Sequence, residues 1–180
     1  MMKRFLATFL FVLMTIAAIA QDSNTIKFLG IPVDGTKKEM ISKLQEKGYK
    51  YDASSDVLFG EFNGTDVIIS VQTVNNRVWR IAIIDTNGNG EVDIKIRFNR
   101  LFNQFSNNKK YVLLNGETLT DEDDIFFEMI VYKKRYEASF TFADKSVNGL
   151  VWYTIIGEGR EYGIAMFYEN LDNAANGDDL

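Results

Sequence analysis

The chain has no cysteine, no histidine and a single proline in 180 residues. Without cysteine it has neither disulfides nor thiolate ligands or nucleophiles, so an apolar core must hold the fold. The missing histidine excludes a Ser-His-Asp triad, a Cys-His pair and imidazole ligation of zinc. It also removes the commonest general base. What remains is carboxylate chemistry, Ser or Lys nucleophiles and oxygen-ligated metals. Positive charge is scarce too: 20 Lys and Arg stand against 25 Asp and Glu, a formal net charge of −5. Such a chain lacks the electrostatic footprint for phosphate backbones, which argues against nucleic acid as a partner.

Long apolar runs are missing except at the start. Met1-Met2-Lys3-Arg4 precedes an apolar stretch over residues 5–19, which closes on Ala18-Ile19-Ala20 before Gln21 and Asp22. Basic residues, a short apolar run and small residues at a cleavage site are the three parts of a secretory signal peptide. The run of 15 residues falls short of the roughly 20 that cross a bilayer as a helix. Residues 1–20 are therefore expected to be removed. Gln21 stands where a lipid-anchored protein would need Cys. The expected product is soluble, without a membrane span, and periplasmic or extracellular in a bacterium. Cleavage would take two of the 20 basic residues, Lys3 and Arg4, and make the product more acidic.

The remainder reads as a helix followed by strands, twice. Residues 26–31 form a short strand, and Pro32 opens the turn Pro32-Val33-Asp34-Gly35. Thr36-Lys37-Lys38-Glu39 matches a capping box, with Met40, Ile41 and Leu44 on one helical face and Gly48 as the C-terminal cap. Strands over residues 57–62 and 65–73 flank Asn63-Gly64, the preferred pair for a type I′ hairpin. A third strand covers residues 77–84. Ile94, Phe98, Leu101, Phe102 and Phe105 then predict an amphipathic helix over residues 91–106. After a short strand at 111–114, two hairpins are expected. Residues 125–132 would pair with 136–142 across Lys133-Lys134-Arg135, and 147–156 with 162–169 across Gly157-Glu158-Gly159. The predicted class is α+β: two tandem helix-plus-antiparallel-meander units, 26–84 and 91–169, packing helices on one face of a curved sheet. Residues 172–180 read as a flexible acidic tail.

Two constellations could carry chemistry. Asp85-Thr86-Asn87-Gly88-Asn89-Gly90-Glu91-Val92-Asp93 matches an EF-hand loop at positions 1, 3 and 5, the glycine at 6, an aliphatic at 8 and Asp at 9. Position 12, which needs a bidentate Glu, is Ile96. The plainer reading is an Asn/Gly-rich turn from strand to helix. Glu128 and Glu137 would be diagonal neighbours about 5–7 Å apart if 125–132 and 136–142 form a hairpin. Retaining glycosidases use carboxylates at about that spacing, although alternation alone places acids on the solvent face of most strands. Asn63-Gly64-Thr65 also fits the N-glycosylation pattern, but the hairpin turn accounts for it. No catalytic, cofactor-binding or metal residue is assigned.

Fourteen Phe, eight Tyr and two Trp are the largest resource of the chain. Most must be core, yet several strands carry apolar residues in both phases. Ile125, Phe127, Met129 and Val131 alternate with Phe126, Ile130 and Tyr132, and Trp152 opposes Val151 and Tyr153. Two apolar faces imply a second packed layer, a dimer or a partner surface.

Phe28-Leu29-Gly30-Ile31-Pro32-Val33-Asp34-Gly35-Thr36, with Met40-Ile41-Ser42-Lys43-Leu44 and Lys47-Gly48-Tyr49, resembles the opening of small secreted uncharacterised proteins of Bacteroides-like bacteria. The element order is similar to the SmpA/OmlA-like and beta-lactamase-inhibitor-protein-like architectures. That resemblance implies binding, by outer-membrane assembly accessories in one case and through a sheet face in the other. Gln21 departs from the lipid-anchored SmpA pattern. The expected function is an exported, non-enzymatic binding protein that meets a protein partner through an exposed sheet face. The alternatives are a small carboxylate-dependent hydrolase and a calcium-dependent carbohydrate binder.

Overall fold

A computed structural model describes residues 24–174; the leader lies outside this range, as do residues 175–180 of the tail. The first elements are a small hairpin, β1 (Lys27–Phe28) and β2 (Ile31–Pro32), and helix α1 (Lys37–Glu46). Four strands follow: β3 (Lys50–Asp52), β4 (Val57–Phe62), β5 (Thr65–Val74) and β6 (Arg77–Asp85). Helix α2 (Glu91–Ser106) opens the second half, then β7 (Tyr111–Asn115), α3 (Ile125–Val131), β8 (Glu137–Phe142), β9 (Gly149–Glu158) and β10 (Glu161–Asn170). β3 to β10 form one eight-stranded sheet in the order β3-β4-β5-β6-β10-β9-β8-β7. The two meanders thus meet through their last strands, β6 and β10, paired antiparallel with Ile81 opposite Tyr168 and Ile83 opposite Met166.

Local chemistry accounts for the boundaries. The Thr36 hydroxyl accepts from the Glu39 amide at 3.3 Å, and the Thr36 amide donates to the Glu39 carboxylate at 2.9 Å, which completes the capping box of α1. Asn63 (φ +54°) and Gly64 (φ +75°) supply the two positive-φ positions of the β4–β5 turn, and Asn75 and Asn76 do so between β5 and β6. One face of the sheet buries Val67, Ile69, Ile81, Ile83, Ile164 and Met166. Met40 and Leu44 of α1, and Ile94, Phe98, Leu101 and Phe105 of α2, close over that face in one continuous core.

Three expected details differ. Residues 26–31 are not one strand but the β1–β2 hairpin, turning at Leu29 (φ +52°) and Gly30 (φ +80°). Residues 125–132 do not form a strand: they contain helix α3, and β8 pairs instead with β7 and β9. Apart from Glu128 the stretch is apolar in both strand phases, which gives no period to separate helix from strand, so its ends decide. The Asp124 carboxylate accepts from the Phe127 amide, and the Glu91 carboxylate at the start of α2 accepts from the Ile125 amide. Last, β9 and β10 turn at Gly159-Arg160, two residues later than expected, because Gly157 is still paired with Tyr162. A Cβ at position 157 would sit 2.6 Å from the Tyr162 ring, so the glycine serves close packing there and not the turn. The start of the expected tail is tied down: Asn173 donates to Asp34 and to the Val78 carbonyl, and Asn148 donates to Asp172.

The ion pairs Arg80–Glu169 and the more buried Arg97–Asp85 cross between the halves. Arg97 of α2 donates twice to Asp85 at the end of β6, both at 2.5 Å, and the Ile164 amide of β10 donates to the same carboxylate at 2.9 Å. The side chains are only 7% and 2% exposed. Removing one partner of a buried pair strands the other charge in a low-dielectric site, at a cost of about 3–5 kcal/mol. Asp85→Ala is expected to lose that much unfolding free energy in urea, while replacing both partners by Leu and Met recovers most of it.

Candidate functional site

The second face of the sheet has no helix on it among the described residues, because the core-forming sides of α1, α2 and α3 all meet the opposite face. Strand alternation and register set its surface row by row. Gln72, Arg80 and Glu169 align across β5, β6 and β10. Ser70, Ala82, Phe167, Trp152 and Ser139 form the next row across β5, β6, β10, β9 and β8, and Phe59, Ile68, Ile84, Ala165 and Thr154 a third.

An aromatic–cation cluster occupies the centre. Trp152 and Phe167 stack with centroids 4.1 Å apart and planes 21° apart. The Arg80 guanidinium lies 4.0 Å from the Trp79 ring centroid and 5.3 Å from that of Phe167. It pairs with Glu169 at 2.7 Å, and the same carboxylate oxygen accepts from the Trp152 indole at 2.7 Å. The strands are out of step here: Gln72 faces Arg80 and Thr73 faces Val78, so Trp79 is an extra residue. Such a bulge re-aims neighbouring side chains, and this one sets Trp79 beside Arg80. Glu169 is 6% exposed, whereas Phe59 at 40% and Ile156 at 37% stand open. A packed aromatic patch with a pinned guanidinium, bordered by small side chains, is the composition of interface hot spots.

Trp152 was marked in the sequence as apolar on both sides of its strand. Phe167 carries the same signal, standing out of phase with Ile164, Met166 and Tyr168. Trp79 and Arg80 carry none, because adjacent residues share a side only through the bulge. The aromatic stretch at 125–132 contributes nothing to this face. On and just after α3, Phe127 and Tyr132 make a separate exposed edge-to-face pair at 5.3 Å.

The paired-carboxylate arrangement does not form. Glu128 lies on α3, where the Lys134 ammonium and the Tyr136 hydroxyl each donate to one of its oxygens at 2.5 Å. Glu137 lies on β8 and pairs with Arg135 at 3.2 Å. The bond to Glu128 holds the Lys134 ammonium well above its ordinary pKa, and the donors from Lys134 and Tyr136 hold Glu128 below the usual carboxylate range. A lysine so held remains a cation and is a poor base or nucleophile.

The calcium-like loop is anchored to β10 as a turn. Both Asp85 oxygens are taken by Arg97, and Asn89 exchanges backbone hydrogen bonds with Tyr162 at 2.8 and 2.9 Å. Glu91 accepts from the Ile125 amide. Among the described residues, no three His, Cys, Asp or Glu side chains gather to hold a metal ion. Asn63 sits in the hairpin turn with its amide hydrogen-bonded to Gln104.

The same bonding sets the response to pH. The Thr120 amide and the Lys134 ammonium hold Asp123 low, and Lys134 and Tyr136 do so for Glu128. Burial pushes Asp34 up, but donors from Asn173, Gly35 and Arg77 outweigh it. A carboxylate lowered in the folded state adds stability above its unfolded pKa and loses it as pH falls through the folded one. With no histidine to titrate between, Tm is expected to hold level from about pH 5.5 to 7 and to fall below about pH 4. No family model matches the chain, and no curated protein or solved structure matches it significantly.

Proposed function

We propose that this is an exported, non-enzymatic protein that binds a partner protein through the open face of its sheet. The observation that carries the reading is the Trp79–Arg80–Phe167–Trp152 cluster at the centre of that face, uncovered by any described helix. Trp and Arg dominate interface hot spots because they offer large rigid area with a polar handle, at low entropic cost. Arg80 is held in place by Glu169 and Gln72, so a partner meeting it would not have to order it. Export rests on the composition of residues 1–20, and a free product rests on Gln21. The resemblance of the sequence's element order to beta-lactamase-inhibitor-protein-like architectures implies the same mode of contact. Against a hydrolase stand the lack of histidine and cysteine and the engagement of Glu128, Asp123 and Lys134 with one another.

Affinity capture from periplasm or culture medium, using the tagged chain from Gln21 onward, tests the reading. A retained protein should be lost on Phe167→Ala or Trp152→Ala, by about thirtyfold in Kd for a hot-spot aromatic, while circular dichroism reports a folded protein. Retention of no protein, together with binding to a glycan array, would overturn it, as would capture that ignores both substitutions.

A further inference from the structure

On the helix-covered side the two halves do not close completely. Between the C-terminal half of α2, the end of β4 and the β1–β2 turn, a cavity of about 410 Å³ opens down to β10. That volume lies in the range of small-molecule sites. Met166 and Tyr168 of β10 line it, with Leu101 and Phe105 from α2 and Phe62 from the end of β4. Asn63 and Gln104 also line it and join their amides reciprocally, at 2.9 and 3.5 Å, tying the β4–β5 turn to α2. Leu29 reaches the lining from the β1–β2 turn. It holds a left-handed φ of +52° and is 36% exposed. Leucine is a poor choice for such a position, where Asn or Gly would sit without strain.

Two lining side chains have polar groups that the fold does not use. Tyr168 is 7% exposed, and Tyr111 beside the cavity is half-buried. Neither phenol has a hydrogen-bond partner among the described residues, although their rings pack on Phe28, Phe105 and Phe142. Neither oxygen is among the buried atoms left without a partner, as that of Tyr162 is, so both reach solvent and can exchange water for a ligand's hydrogen bond. The electrostatics restrict which ligand. Among the described residues no Lys or Arg lines the cavity, and the one charged residue there is Glu61. Burial, and for Tyr168 also the nearby Tyr111, raises both phenols above their ordinary pKa, so both are neutral. An anionic ligand would be desolvated there with no counter-charge.

We propose that this cavity binds a small uncharged molecule with a flat, mainly apolar ring body and one hydroxyl or carbonyl oxygen, which Tyr168 and Tyr111 hold at its inner end. The aromatic walls fit a ring, the two phenols offer both a donor and an acceptor, and Leu29 adds an apolar wall from the β1–β2 turn. The site lies on the other side of the sheet from the Trp152–Phe167 patch and is independent of it.

Isothermal titration with 2-naphthol, and with 2-naphthoate as its anionic counterpart of similar shape, tests the site on the purified protein. The naphthol should bind, with the naphthoate at least tenfold weaker. Tyr168→Phe, which keeps the ring packed, should weaken the naphthol by about fivefold to tenfold, the loss of one hydrogen bond. Asn108→Trp, which fills the cavity from its exposed rim, should abolish binding while circular dichroism and Tm report an intact fold. Failure to bind the naphthol, or equal affinity for the two probes, would overturn the proposal. So would wild-type binding in both variants, or a loss on Phe167→Ala, which would place the probe on the open face.

Discussion

Everything in this molecule depends on the pairing of β6 with β10. Each helix-plus-meander half presents a four-stranded sheet with one side covered, and neither half has a full core of its own. Bringing Ile81 and Ile83 opposite Tyr168 and Met166 merges the two into one sheet and one continuous apolar layer. The Asp85 carboxylate fixes that seam by taking donors from α2 and β10 while sitting at the end of β6. Burying such a pair brings little net stability. Its effect is geometric, since the charges are satisfied in one arrangement of the halves only.

The seam also creates both candidate surfaces. Side chains in a strand alternate between faces, so β10 sends Met166 and Tyr168 toward the helices and Phe167 and Glu169 to the open side. The cavity lies on the helix-covered side of that strand, between α2, the end of β4 and the β1–β2 turn. Among the described residues no helix lies on the open face, and its aromatic cluster is packed sideways, ring on ring and ring on guanidinium, rather than beneath another layer.

What could be read in the chain beforehand was what short-range chemistry decides. Thr36 to Glu39 and Asn63-Gly64 act within a few residues of themselves, and each appears where its capping or turn geometry requires. The period of α2 and the alternation of β5 and β6 survive for the same reason. The helix at Ile125–Val131 was illegible because, Glu128 apart, its sequence is apolar in both strand phases. Its start is held by Glu91, a partner 34 residues away. The loop at Asp85 resembled a calcium site because spacing carries no information about Arg97, which sits across the turn and takes the carboxylate. Half of the open-face cluster was visible as out-of-phase aromatics, and the other half depends on a bulge with no local signature.

By itself the sequence determined the α+β class, the caps and turns, and the chemistry denied to a chain without histidine or cysteine. These follow from local conformational preference and from inventory, neither of which needs a fold. Only the tertiary structure decided that the halves share one sheet, that Glu128 and Glu137 do not meet, and that Arg80 lies between Trp79 and Phe167. Each of those rests on contacts between residues far apart in the chain, where register and burial choose the neighbour.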